Sequence, residues 1–174
     1  MRVMVTGGVR SGKSRHAEGL FDAAANVTYV APGRPADGTD ADWDMRVASH
    51  QERRPQHWTT VETADLPAAF AEAHGPVLVD CLGTWLVALL DGAGLWDEPS
   101  DAVHNAVAER LDGLCTALRN IPDAVVVTNE VGLGVVPAHY SGVLFRDALG
   151  TVNQRVGAIC DEVHLVIAGR VLRL

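Results

Sequence analysis

Short apolar runs recur along the chain, and between them apolar residues return every three or four positions. The runs Arg2–Thr6, Val27–Val30, Trp58–Val61, Val77–Cys81, Ala124–Thr128, Glu162–Ala168 and Val171–Leu174 read as strands. Val77-Leu78-Val79 and Val125-Val126-Val127 lack the alternation of a half-exposed strand, so they belong to a sheet covered on both faces. Helices are predicted over Lys13 to about Ala24, Asp40 to about Arg54, Leu66–His74, Leu82–Leu90, about Asp101–Arg119 and Tyr140–Cys160, the last weakened by Gly142, Gly150 and Gly157. Asp40 suits a helix cap, Pro55 ends the helix that follows it, and Gly75-Pro76 breaks the next. Ala31–Gly38, with two Pro and two Gly, is a loop, as are Gly92–Pro99 and Asn129–Ala138. The alternation of strand and helix gives an α/β fold, a mostly parallel sheet with helices on both faces. No repeat, low-complexity tract or linker divides residues 1–174, which read as a single domain.

Composition narrows the function classes. The net charge of −8 argues against a protein held on nucleic acid or on an anionic membrane by bulk charge. Cys81, Cys115 and Cys160 are an odd number with no CxxC spacing, which reads as apolar thiols in a reducing compartment. Cys81–Leu90 is the longest uncharged apolar stretch and is too short to span a bilayer, so no stable membrane insertion is expected. A cytoplasmic enzyme fits this composition, with a strand and glycine loop beginning at once instead of a signal peptide.

The first chemistry-bearing segment is Gly7-Gly8-Val9-Arg10-Ser11-Gly12-Lys13-Ser14, which fits G-x-x-x-x-G-K-[ST] between a predicted strand and a predicted helix. Small residues let successive backbone N–H groups face phosphate oxygens, and the helix N-terminus adds partial positive charge. Lys13 suits the β- and γ-phosphates and Ser14 suits Mg²⁺. Lys13 is also the only lysine among 14 basic residues, kept where a compact ammonium matters. The segment therefore predicts binding of a nucleoside triphosphate on a P-loop NTPase fold of the RecA-like type. Val77-Leu78-Val79-Asp80 is an apolar run ending in a carboxylate, so Asp80 either holds the metal's water shell or caps the next helix.

A second constellation lies on the helix that begins near Asp40. Arg46, His50 and Arg53 are spaced to share one face, with Glu52 and Arg54 beside them. Such a face suits a polyphosphate, and guanidinium neighbours would favour a neutral, nucleophilic imidazole. On spacing alone it reads more readily as a solvated charged surface. Asn129 and Glu130 end a strand at the sheet edge where α/β ligands sit, and the glycines beyond them form either a substrate loop or a structural turn.

Taken together, MxxxVTGGxRSGKSRHAE at the start, RVASHQERRPQHWTTVE, VTNEVGLGVVP and FRDALGTVNQRVGAICDEVHLVIAG resemble, in order and over nearly the whole chain, the bifunctional adenosylcobinamide kinase/adenosylcobinamide-phosphate guanylyltransferase family. The resemblance implies phosphorylation of adenosylcobinamide with ATP or GTP, then transfer of GMP from GTP to adenosylcobinamide phosphate through a GMP-histidine, with Mg²⁺ as cofactor. The position matching that histidine is His50; His57 matches a position without the role. The resemblance also implies nucleotide contacts from Gly7–Ser14, from Ala31, Pro32 and Gly33, from Gln51, Glu52 and Arg53, and from Glu62 and Asp80, and it implies a homo-oligomer, a trimer. Two departures stand out: Pro32-Gly33 replaces hydroxyl-bearing residues common in that loop, and Asp80 stands where many members carry Glu. A P-loop small-molecule kinase without guanylyl transfer, or a nucleotide-binding regulator, is the alternative the P-loop alone allows.

Overall fold

The computed structural model describes residues 1–174. Thirteen elements follow in the order β1 (Arg2–Gly7), α1 (Lys13–Glu18), β2 (Thr28–Ala31), α2 (Ala41–Arg53), β3 (Thr59–Glu62), α3 (Leu66–Glu72), β4 (Val77–Asp80), α4 (Leu82–Ala93), α5 (Ser100–Arg119), β5 (Ala124–Val127), α6 (Tyr140–Gly157), β6 (Glu162–Ile167) and β7 (Arg170–Arg173). The strands form one seven-stranded sheet in the order β3-β2-β4-β5-β1-β6-β7. Every pairing is parallel except β6 with β7. That exception is a hairpin: Ile167 pairs with Arg170 across Ala168 and Gly169, whose φ values of 50° and 75° suit the tight turn of a two-residue connection.

The period-two geometry of each strand divides the core. Val3, Val5, Leu78, Val125 and Val127 face a cluster that includes Ala17 of α1, Tyr29 and Trp58. Met4, Val77, Val79 and Val126 face a larger cluster with buried residues from α3, α4, α5 and α6. Continuous valine runs are therefore required, since both faces of the central strands are dry.

α1 stops at Glu18, well before the expected end near Ala24. The Gly19 N–H closes it on Arg15, and Leu20 and Phe21 turn in against the first core face, where Phe21 meets Trp58 edge-to-face at 5.7 Å. Tertiary burial of two large side chains outweighs continuation of a helix that Gly19 already weakens. α4 runs one turn further than expected and ends at Gly94, whose φ of 64° is the left-handed cap. The buried His164 of β6 is satisfied on both sides, by His16 of α1 at 2.9 Å and by Glu162 at 2.8 Å, and this pins α1 against the sheet.

Candidate active site

The P-loop leaves the carboxyl end of β1, and each part of its shape has a local cause. A Cβ on Gly7 would lie 2.4 Å from the carbonyl oxygen of Val166, so only glycine lets β1 pass β6 there. Gly12, at φ 95°, turns the chain into α1. The loop is tied to the β6–β7 hairpin by the Gly169 N–H, which donates to Ser11 O at 2.9 Å, and to the segment after β5 by the Glu130 N–H, which donates to Gly7 O at 3.1 Å. Lys13 is buried, and its Nζ donates to Gly8 O at 3.2 Å. Burial lowers its pKa from the ordinary lysine value, against the opposing influence of Cys81 and Asp80.

Asp80 ends β4, two strands from β1 in the sheet, with β5 between them. Its side chain is 7% exposed and faces three groups from three elements. His50 of α2 places Nδ1 3.5 Å from Asp80 Oδ2. The Tyr29 hydroxyl of β2 donates to the same oxygen at 3.0 Å. Ser14 of α1 adds to the influences that favour the charged carboxylate. Burial pushes the Asp80 carboxyl up, but the hydrogen bond and charge of His50, with the contributions of Ser14 and Tyr29, outweigh it and hold the group below the ordinary carboxylate value. Tyr29 is pushed far up by burial and by Asp80, so its phenol stays protonated as a donor. Arg54 closes the back of this set, its guanidinium 3.5 Å from the centre of the Tyr29 ring and bonded to Thr60 Oγ1 at 3.1 Å.

A cleft of about 550 Å³ opens beside these groups. Trp43, Arg46, Val47, His50 and Arg54 line it from α2 and the residue after it, at the i, i+3, i+4, i+7 and i+11 spacing of one helical stripe. Ala31 lines it from the end of β2, Gly33, Arg34 and Pro35 from the loop that follows, Glu62 from the end of β3, and Asp80, Cys81 and Thr84 from β4 and the start of α4. Gly33 suits the tight space there: a Cβ would lie 3.1 Å from the Trp43 ring and 3.2 Å from Thr84, so those side chains would have to give by a few tenths of an ångström.

The expected site residues divide accordingly. His50, Ala31, Gly33, Glu62 and Asp80 meet at the cleft. Gly7–Ser14 does not line it but adjoins it, with Lys13 and Ser14 in the electrostatic surroundings of Asp80. Pro32 is buried in the wall and does not line the cleft. Gln51, Glu52 and Arg53 also lie off the cleft in this chain, and Arg53 reaches Glu18 at 3.4 Å. Of the expected Arg46–His50–Arg53 face, Arg46 and His50 line the cleft and Arg53 does not; Arg54 lines it instead, against Tyr29 of β2 and Thr60 of β3. The Asp80 carboxylate lies 3.5 Å from the imidazole, a neighbour the helical spacing did not predict. Glu130 closes its own turn by accepting from Gly132 N at 2.7 Å, and Asn153 of α6 donates to Asn129 O at 2.9 Å, so the start of that loop is a structural turn.

Tyr29, Arg34, Trp43 and Thr84 were not legible as site residues. Trp43 had a signal, since it falls one turn before Arg46 and Val47 on the His50 stripe. Tyr29 had none, because in the sequence it is only an aromatic residue in a buried strand. Ser14 and Asp80 carry a hydroxyl and a carboxylate oxygen, the donor type that Mg²⁺ takes alongside water and phosphate oxygens; no cluster of three or more His, Cys, Asp or Glu side chains is disposed to hold a metal ion.

A strand-loop-helix phosphate cradle, a carboxylate at the end of a strand one removed from it, and a parallel sheet covered on both faces define a P-loop nucleotide-binding enzyme. A solved ATPase from the type III secretion system of pathogenic bacteria has the same fold, with a TM-score of 0.53 and 14% identity; 94% of this chain matches 50% of that one. The model of the family described as cobinamide kinase / cobinamide phosphate guanyltransferase matches residues 3–174, and the chain belongs to that family. It is 39% identical to the bifunctional adenosylcobalamin biosynthesis protein CobU of Salmonella typhimurium, with 97% of each chain covered, and 38% identical to CobU of Escherichia coli at the same coverage. The bifunctional adenosylcobalamin biosynthesis protein CobP of Pseudomonas aeruginosa is 38% identical over 97% of this chain and 94% of its own. The chain is accordingly an enzyme with two transfer activities, kinase and guanylyltransferase.

Proposed function

We propose that this chain phosphorylates adenosylcobinamide with ATP or GTP and then transfers GMP from GTP to adenosylcobinamide phosphate, with His50 as the nucleophile that carries GMP. The observation that carries the reading is the placement of His50 in the cleft beside the P-loop, joined to it by Asp80. The two reactions share one requirement and differ in another. Both need the phosphate charge neutralised, and Lys13 with the loop amides supplies that. They differ in the phosphorus attacked: the γ-phosphorus by the acceptor hydroxyl, the α-phosphorus by His50. A covalent GMP-histidine divides the second transfer into two easier displacements.

Ser14 and Asp80 would hold Mg²⁺, which supplies charge neutralisation at the phosphates when bound. Glu62 is exposed at the cleft and supplies a carboxylate acceptor for the N1–H and amino group of a guanine. Trp43 presents an apolar wall for the base or sugar. Ala31 and Gly33 contribute backbone contacts, while Pro32, Gln51, Glu52 and Arg53 would reach a nucleotide only after rearrangement or across a subunit boundary. The negative overall charge and the absence of a helix long and apolar enough to cross a membrane fit an enzyme acting on small molecules, with no nucleic-acid partner. A cytoplasmic setting and a homotrimer complete the proposal.

Incubating the protein with GTP and measuring intact mass tests it. The wild type gains the mass of one GMP and releases pyrophosphate. His50→Ala gains nothing yet keeps part of its kinase activity, and Lys13→Ala loses most of both. A GMP adduct that persists in His50→Ala overturns the assignment of the nucleophile.

A further inference from the structure

The contacts around His50 form a chain that general P-loop chemistry does not require. Asp80 Oδ2 lies 3.5 Å from His50 Nδ1 and accepts from the Tyr29 hydroxyl at 3.0 Å, while Arg54 stacks over the Tyr29 ring at 3.5 Å. A carboxylate so engaged accepts and does not donate. Its imidazole partner is thereby directed to keep its proton on Nδ1 and its lone pair on Nε2. The same logic orients the histidine of an acid–histidine pair in acyl transfer. His50 also lines the open cleft, its side chain 23% exposed, and the ring nitrogen not turned to Asp80 is Nε2.

We infer that Asp80, held by Tyr29, is a positioning residue for guanylyl transfer: it fixes His50 as the Nδ1–H tautomer, so that GMP is carried on Nε2. This inference rests on the reading of His50 as the nucleophile. In the step it describes, the Nε2 lone pair forms a bond to the α-phosphorus of GTP. The bond from that phosphorus to the oxygen bridging to the β-phosphorus breaks, and pyrophosphate leaves with the electron pair. The Nδ1 proton stays on the ring, the adduct is cationic at the imidazole, and the Asp80 carboxylate faces that charge. When GMP passes to the acceptor phosphate, the ring returns to the neutral Nδ1–H form without exchanging a proton with water. Tyr29 contributes by keeping Asp80 in place, and Arg54 by keeping Tyr29 in place.

Long-range proton–nitrogen correlation spectra of ¹⁵N-histidine-labelled full-length protein test the inference directly. In the wild type His50 is expected as the Nδ1–H tautomer, and after GTP treatment the phosphorus is expected on Nε2. Asp80→Leu removes the acceptor and is expected to give a mixture of tautomers. Tyr29→Phe keeps the ring and the Arg54 stack but loses one hydrogen bond to a charged group, so the GMP adduct forms about tenfold more slowly, a larger loss than in kinase rate. A protein merely loosened by the substitution would lose both activities in step and keep its tautomer. Phosphorus found on Nδ1, or an Nε2–H tautomer in the wild type, overturns the inference. If the wild type forms no adduct at all, the reading of His50 as nucleophile fails, and a tautomer that does not differ between wild type and Asp80→Leu then overturns the positioning role separately.

Discussion

Lys13 is the single lysine of the chain and is buried to 6% exposure, with the Gly8 carbonyl as its hydrogen-bond partner. Burial of a charge with so little compensation opposes folding. The sign follows from its lowered pKa: at pH below its folded value the charged side chain destabilises the fold, and that penalty is relieved as pH rises from there through about 10.5. A bound triphosphate supplies the missing counter-charge. Lys13→Met keeps length and loses charge, so it is expected to stabilise the nucleotide-free protein by about 1 kcal/mol, or roughly 3 °C in Tm, while abolishing kinase activity. Thermal unfolding without nucleotide, set beside a kinase assay, checks both halves; a Tm lower than wild type contradicts the account of Lys13. The residue scale is also where the sequence was most informative, since a P-loop is a local object. Strand, glycine turn, lysine and helix are contiguous, and their geometry follows from their order.

At the scale of elements, α2 stands apart. It carries His50, the proposed nucleophile, but has no buried residue. Polar contacts hold it instead: Asp40 caps it by accepting from Trp43 N at 3.0 Å, Trp43 Nε1 donates to Arg34 O at 2.8 Å, Asp44 accepts from Gly38 N at 2.9 Å, and His50 and Arg53 reach Asp80 and Glu18. Such an element opens at low free-energy cost compared with a strand dry on both faces. Backbone amides of residues 44–53 are expected to exchange with deuterium at least tenfold faster than those of β1 and β5, and to slow when GTP is added, because the nucleotide bridges α2 to the P-loop. Equal protection of α2 and β1 in the free protein contradicts this. The sequence disclosed α2 as a helix with a charged face, yet it did not disclose which of Arg53 and Arg54 looks into the cleft. Both lie within one turn of His50, and the choice depends on how the helix is rotated over β2 and β3, which are distant in sequence.

Across the whole molecule, two groups of exposed large apolar side chains stand out. Leu133, Val135 and Val136 stand out from the loop after β5, and Ile167, Leu172 and Leu174 from the β6–β7 hairpin and the last residue. β7 is also a sheet edge with every residue exposed. Patches of this kind favour association, in line with the proposed homotrimer. Light scattering on the eluting protein is expected to give three times the chain mass of 18.5 kDa. A monomer at micromolar concentration would remove the subunit boundary as a route by which Gln51, Glu52 and Arg53 reach a nucleotide.

Sequence alone was enough for the α/β alternation, the phosphate cradle and the strand-ending carboxylate, and through its resemblance to a family it singled out His50. Each of these is written in contiguous residues: period-two and period-3.6 patterns, or motifs a few positions long. Only the tertiary structure decided that Asp80 faces His50, Tyr29 and Ser14 at once, that α1 ends early to bury Leu20 and Phe21, and that Arg54 and not Arg53 belongs to the cleft. Those facts come from β2, β4, α1 and α2 meeting at one end of the sheet. Side-chain direction there is set by strand register and helix rotation, and packing between segments far apart in the chain fixes both.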